Sequence, residues 1–301
     1  MEINWNESIA LEELIVKTGE VKSINAGIHP PFSRIEIQKG GTLKCIEGSS
    51  WLMIYSKGDF ILEGTIVCQD YKTGLKNISG KSPKPDNQIL EVIYPENKIG
   101  GKGADSYPLQ RVETRGKGAL GTREYGGGGA SGRSPLCRNN SCKSYDANGS
   151  KGGVNPNSFV AEGGNGGRKK EYQNGGCIYL KIDGQLISDR GRINIQGSNG
   201  ETGKAGENST TINGPRGHVY NMSPGQGGGG APGGDGGLLV IKIDANNIIT
   251  KPRIYNSGGT GGRRGLNGES PTGRRNSQQI ADDGEVGNDG KPTIWLTDWQ
   301  N

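Results

Sequence analysis

The chain has 301 residues, 56 of them glycine, with 30% hydrophobic and 6% aromatic residues. Globular chains are roughly 45–50% apolar, glycine included, so a conventional side-chain core cannot fill a chain of this length. Lys plus Arg is 36 and Asp plus Glu is 31, a balance of +5 spread along the sequence, which excludes the concentrated basic stripe of a nucleic-acid interface.

The N-terminal residues Met1 to Glu7 have no basic region followed by an apolar core, so neither a secretory signal nor a membrane-spanning segment is expected. Residues 1–20 suit either a short helix, with Ile9, Leu11, Leu14 and Ile15 as its apolar positions, or a strand beginning at Leu14. Period-two alternation then takes over. Strands are predicted at 34–38, 42–46, 51–55, 60–62 and 65–68, with turns at 39–41, 47–50 and 57–59. Such regular spacing suggests a sandwich or a β-solenoid.

An internal repeat follows. Its copies begin at Leu52, Ile178 and Leu239, and each has an apolar strand, a polar turn, an apolar pair, a second turn and an isoleucine-bearing strand. Lys181-Ile182-Asp183 coincides with Lys242-Ile243-Asp244. Each copy leads into a glycine-rich stretch, at 69–176, 197–237 and 258–291. A last strand at 293–299 resembles the first half of a repeat and closes the structure. The expected fold class is all-β, a repeated strand layer (β-solenoid or sandwich) with polyglycine-II-like segments. The expected division is an N-terminal β attachment domain over 1–70 and a glycine-rich repeat domain over 71–301, with strand pairs near 177–196 and 238–256.

The glycine stretches are too long for ordinary loops. Their glycines recur at one, two or three residues, matching neither collagen nor a flexible linker. Residues without Cβ can run as extended strands side by side, bonded backbone to backbone. In the tract 225–237, Gln226, Pro232 and Asp235 are among the few side chains expected to face solvent or a partner.

The tracts Gly-Gly-Gly-Gly-Ala at 126–130 and 227–231, Gly-Gly-Asn-Gly-Gly at 163–167 and Gly-Gly-Thr-Gly-Gly at 258–262 resemble the glycine-rich motifs of phage tail-fibre tip adhesins. In T-even-like members such motifs form a polyglycine-II sandwich whose variable loops bind a host outer-membrane protein. A strand pair followed by a glycine-rich segment is also similar to other bacterial, phage and large-virus surface proteins. The resemblance covers roughly residues 100–291. It implies a non-enzymatic protein on the virion surface, extracellular after release. Its partners would be other virion structural proteins and a host-surface protein or glycan, with no nucleic acid and no membrane insertion. Self-association is open. The alternatives are a capsid-decorating or cementing protein and a carbohydrate-active β-solenoid enzyme.

Catalytic residues are not expected. Gly74 to Ser82 has one residue too many for a phosphate loop, and Pro83 and Pro85 stand where its helix would be. Only His29 and His218 are available for acid–base work, both in proline- or glycine-flanked contexts. Asp282-Asp283-Gly284 and Asn288-Asp289-Gly290 do not match a calcium loop and read as turns. No cofactor and no metal are expected. Candidate receptor contacts are Tyr107, Tyr125, Tyr145, Phe159, Tyr172, Tyr220, Arg263 and Arg264, because aromatics and arginine carry disproportionate interface energy. Cys45, Cys68 and Cys177 lie in apolar runs and read as buried thiols. Cys137 and Cys142 bracket a polar loop and are a candidate disulfide in an oxidising environment.

Overall fold

A computed structural model describes residues 11–70, 101–104, 119–121, 164–167, 174–209, 211–213, 219–221, 224–270, 280–290 and 292–297. The described chain is almost entirely β, with one short 3-10 turn at Ala245–Asn247. Among the described residues no helix is long and apolar enough to cross a membrane.

The strands in chain order are β1 (Glu13–Val16), β2 (Val21–Ile28), β3 (Arg34–Ile37), β4 (Thr42–Ser56), β5 (Phe60–Leu62), β6 (Thr65–Val67), β7 (Gln69–Asp70), β8 (Asn174–Gly175), β9 (Cys177–Ile182), β10 (Leu186–Ile187), β11 (Arg192–Asn194), β12 (Thr211–Asn213), β13 (Val219–Asn221), β14 (Leu238–Lys242), β15 (Arg253–Tyr255) and β16 (Ile294–Leu296). The N-terminal segment read as helix or strand is a strand where it is described, at β1.

The two main sheets are parallel throughout. One runs β1-β3-β5-β10; the other runs β15-β11-β6-β4-β9-β14-β16, with β2 also on β4. The register ties the sheets to the repeat. Leu52 stands opposite Ile178, and Ile178 opposite Leu239, which are the residues that open the copies. Phe60 pairs with Leu186. Ile66 pairs with Ile193, and Ile193 with Ile254. Each strand of one copy therefore lies beside its counterpart in the next. β16 pairs with β14 and forms the edge of its sheet.

The turn expected at 47–50 is absent: β4 passes through it without interruption. The register jumps there instead. Ala26 pairs with Gly48 while the next residue, Gly27, pairs with Leu52. Extra residues on one strand of a pair bend that strand without ending it. β4 consequently joins the strands beside β6 to those beside β9 in one curled sheet.

Alternation decides the core. Leu52, Ile54, Ile178, Leu180, Leu239 and Ile241 point inward with Leu43, Phe60, Leu62 and Ile66, forming one buried cluster. The alternate residues of the same strands, Trp51, Met53, Cys177, Tyr179, Leu238 and Val240, form a second buried cluster on the other face. This explains why those strands read as continuous apolar runs. At their ends the register sets Lys181 beside Lys242. Neighbouring like charges are unfavourable, and Lys181 is offset by the Tyr55 ring, 3.9 Å from its Nζ, and by Asp183, 4.0 Å away. Tyr55 Oη donates to Asp183 Oδ2. Cys45, Cys68 and Cys177 are buried, as expected.

Candidate functional site

Glycine-rich segments leave after β11 and β15 and return into β14 and β16. The outgoing segments are 195–209 and 256–270; the returning ones are 224–237 and 280–290. They form a lattice bonded through the backbone at every third residue. Gly225, Gly228, Ala231, Gly234 and Gly237 donate their N–H groups to the carbonyls of Glu207, Lys204, Glu201, Ser198 and Ile195. Gly197, Gly200, Gly203, Gly206 and Ser209 donate in turn to Ser257, Thr260, Arg263, Leu266 and Glu269. Gly259, Gly262, Gly265 and Gly268 close the cycle by donating to Gly234, Ala231, Gly228 and Gly225.

A second cycle shares this central segment. Gly230, Gly233 and Gly236 donate to Asp282, Glu285 and Asn288, while Gly284, Gly287 and Gly290 donate to Gly262, Gly259 and Asn256. Two further neighbours flank it: Gly101 and Ala104 donate to Gly230 and Gly227, and Gly164 and Gly167 to Gln226 and Gly229. Segment 224–237 is thus surrounded by five described neighbours, and all of it but half-buried Asp235 is buried.

Position in this lattice dictates residue type. An added Cβ on Gly227, Gly230, Gly233 or Gly236 would meet a carbonyl oxygen of 256–270 at 1.7–2.2 Å. One on Gly229 would meet the Gly101 oxygen at 1.9 Å. No real Cβ approaches backbone this closely, so these positions of the central segment are glycine. The outer segments have fewer neighbours and need glycine or a small residue at every third position; 256–270, which also faces 280–290, needs it in addition at Gly258 and Gly261, where a Cβ would meet the oxygens of Gly287 and Gly284 at 2.2 and 1.9 Å. In 195–209, Gly203, Gly206 and Ser209 are buried and the pairs between them exposed. In 256–270 the buried positions include Gly259, Gly262, Gly265 and Gly268. Pro232 falls in the phase 226, 229, 232 and 235, where the only N–H bond to a described residue is that of Asp235 to Asn174 Oδ1, so its missing donor costs no ladder bond.

This corrects the expectation for the central side chains. Gln226 is 1% exposed, and its Nε2 donates to the Pro224 carbonyl. Its Oε1 has no hydrogen-bond partner among the described residues. Pro232 is buried, and Asp235 Oδ1 accepts the N–H of Asn288.

The Asp-Gly steps expected to be turns are not turns either. Asp283 Oδ1 accepts the N–H of Arg264 at 2.7 Å while Gly284 donates to Gly262. Asp289 Oδ1 accepts the N–H of Gly258 while Gly290 donates to Asn256. Asn267 Oδ1 accepts the N–H of Gly227 while Gly268 donates to Gly225. Between segments that run in the same direction, both bonds fall on a single residue. Asn199 and Gly200 hold Thr260, Asn208 and Ser209 hold Glu269, Asn174 and Gly175 hold Asp235, and Asp235 and Gly236 hold Asn288. The side chain thus satisfies an N–H outside the three-residue ladder. Sequence reasoning missed these clamps; their signal is Asn or Asp immediately before a ladder glycine or serine.

The outward surface consists of the residues between the lattice positions. It includes Glu201, Thr202, Lys204, Arg263, Arg264, Leu266, Asp282, Asp283 and Val286, all exposed. The segments turn back at the end away from the sheets, where Ser209 lies beside Glu269 and Gly225 beside Glu207 and Gly268. The antiparallel hairpin of β12 and β13 comes between Ser209 and Pro224 in the chain.

Of the expected contact residues, Arg263 and Arg264 are exposed on 256–270, adjoining Gly203 and Asp283 respectively. Tyr220 lies in β13, opposite Ile212. Tyr107, Tyr125, Tyr145, Phe159 and Tyr172 lie outside the described residues, as do His218, Cys137 and Cys142. His29 Nε2 bonds the Asn25 carbonyl oxygen. Among the described residues no group of three or more His, Cys, Asp or Glu is placed to hold a metal ion. The chain matches no protein-family model, no curated protein and no solved structure.

Proposed function

We propose that this is a non-enzymatic virion-surface protein, at a tail or fibre tip, that recognises a host-cell surface receptor through its glycine-rich part. In this reading the parallel strands are the coils of a β-solenoid, and the glycine-rich segments are polyglycine-II helices packed around a central one. The single observation that carries the reading is the cyclic backbone ladder about 224–237. It holds the segments through backbone bonds and leaves most residues between the ladder positions of the outer segments exposed for display. A surface ordered before contact loses little entropy on binding.

With a rise of about 3.1 Å per residue, the central segment would hold its far end roughly 40 Å from the sheets. The hairpin with Tyr220 follows that end in the chain, and Arg263 and Arg264 stand on the side face.

The test is binding of the labelled full-length chain to intact host cells. Saturable binding is expected, falling at least about tenfold in Arg263→Glu/Arg264→Glu or Tyr220→Ala while thermal unfolding stays unchanged. Absence of saturable binding, together with stoichiometric incorporation into capsids, would replace this reading with a capsid-decorating role.

A further inference from the structure

The clamps join two observations that ordinarily conflict. Asn before Gly is the step most prone to spontaneous deamidation, because glycine leaves the following nitrogen unhindered. Asn174, Asn199 and Asn267 each precede glycine. In the reaction, the nitrogen of the following residue loses its proton to solvent base and attacks Asn Cγ. The Cγ–N bond of the side-chain amide breaks and ammonia leaves with that proton. Water then opens the succinimide at either carbonyl, giving aspartate or isoaspartate. Only water is consumed.

At all three sites both reacting groups are engaged. The N–H of Gly200 donates to the Thr260 carbonyl at 2.8 Å, and Asn199 Oδ1 accepts the Thr260 N–H at 3.0 Å. Gly175 and Asn174 hold Asp235 in the same way, at 2.7 and 2.9 Å. Gly268 donates to Gly225 at 3.0 Å while Asn267 Oδ1 accepts from Gly227 at 2.9 Å. The glycines have also lost their freedom: an added Cβ would sit 1.7 Å from the Ile195 oxygen at Gly175, 2.1 Å from that of Ala231 at Gly200 and 2.0 Å from that of Glu207 at Gly268.

We infer that Asn174, Asn199 and Asn267 are deamidation sites held closed by the clamps of the glycine lattice and opened when their own clamp is released. The inference is independent of the proposed function. The two products differ in effect. Aspartate keeps the clamp's acceptor, as Asp283 and Asp289 show. Isoaspartate lengthens the main chain by one atom and destroys the three-residue phase, so an opened segment is not restored on closing.

Burial is not the protecting factor in this account, and Asn199 separates the two. Asn267 is 6% exposed and Asn174 8%, whereas Asn199 is exposed to solvent. The test is peptide mapping by mass spectrometry of the full-length protein aged in mildly alkaline buffer, folded and in urea. Freeing one clamp breaks two hydrogen bonds, so conversion at Asn199 is expected to be roughly thirtyfold slower in the folded chain. Equal rates at Asn199 in the two states would overturn the inference, and this comparison needs no variant. Thr260→Pro removes the N–H that Asn199 accepts and keeps the carbonyl that holds Gly200. It is expected to speed conversion at Asn199 while Asn174 and Asn267 stay slow; an unchanged Asn199 rate in the folded variant would also overturn it.

Discussion

Gly230 faces the carbonyl of Gly262 so closely that a Cβ on Gly230 would lie 1.8 Å from its oxygen. Neither backbone can withdraw alone, because Gly230 N donates to Asp282, Gly262 N donates to Ala231, and the Gly262 carbonyl accepts from Gly284. Gly230→Ala is therefore expected to cost more than about 4 kcal/mol, or to prevent folding of the lattice. Exposed Thr202→Ala is expected to stay within about 0.5 kcal/mol. Urea unfolding of both variants checks this; equal midpoints would contradict the ladder.

Proline distinguishes ladder from non-ladder positions. The N–H of Gly203 donates to Arg263, whereas that of Thr202 bonds no described residue. The proposed polyglycine-II conformation already has the φ of proline. Thr202→Pro is expected to stabilise by about 0.4–1 kcal/mol through the unfolded state, and Gly203→Pro to destabilise. Thermal unfolding of the pair reads the sign directly.

In the sheets, Ile178 lies between Leu52 and Leu239 and is fully buried. Ile178→Ala is expected to cost about 2–5 kcal/mol, as for other buried large-to-small changes. Exposed Val21→Ala is the control, expected within about 0.5 kcal/mol. Denaturant titration measures both.

Trypsin offers an inexpensive test of order. Lys204, Arg263 and Arg264 are exposed, yet the carbonyls of Lys204 and Arg263 accept ladder bonds from Gly228 and Gly203. A protease must pull such a strand free before cutting it. Native digestion is expected to leave the bonds after Lys204, Arg263 and Arg264 intact, and rapid cleavage at all three would show that the segments are not ordered.

The strands were legible because apolar alternation carries their period directly: the copies starting at Leu52, Ile178 and Leu239 stand side by side, and Lys181 meets Lys242. The bend at 47–50 was not legible, because Gly48 and its serines carry the composition of a turn although the strand runs on through them and Gly48 pairs with Ala26. The lattice was half legible. A period of three is present at 197, 200, 203 and 206 and again at 259, 262, 265 and 268. It is blurred wherever a segment has neighbours on every side and needs glycine in all phases, as around Gly229. Asp283 and Asp289 were misread because Asp-Gly usually turns. In this chain the neighbouring segments fix the backbone as extended and the carboxylate reaches across to them.

The ladder has a mechanical consequence. Outgoing and returning segments run along one axis, and their hydrogen bonds cross it. Tension applied at the far end would load the rungs on segments 195–209, 224–237, 256–270 and 280–290 together, in shear, with no exposed first rung from which to unzip. Force would pass through the lattice to β11, β14, β15 and β16, whose strands lie in the same sheet. Pulling speed would then set when the lattice gives way.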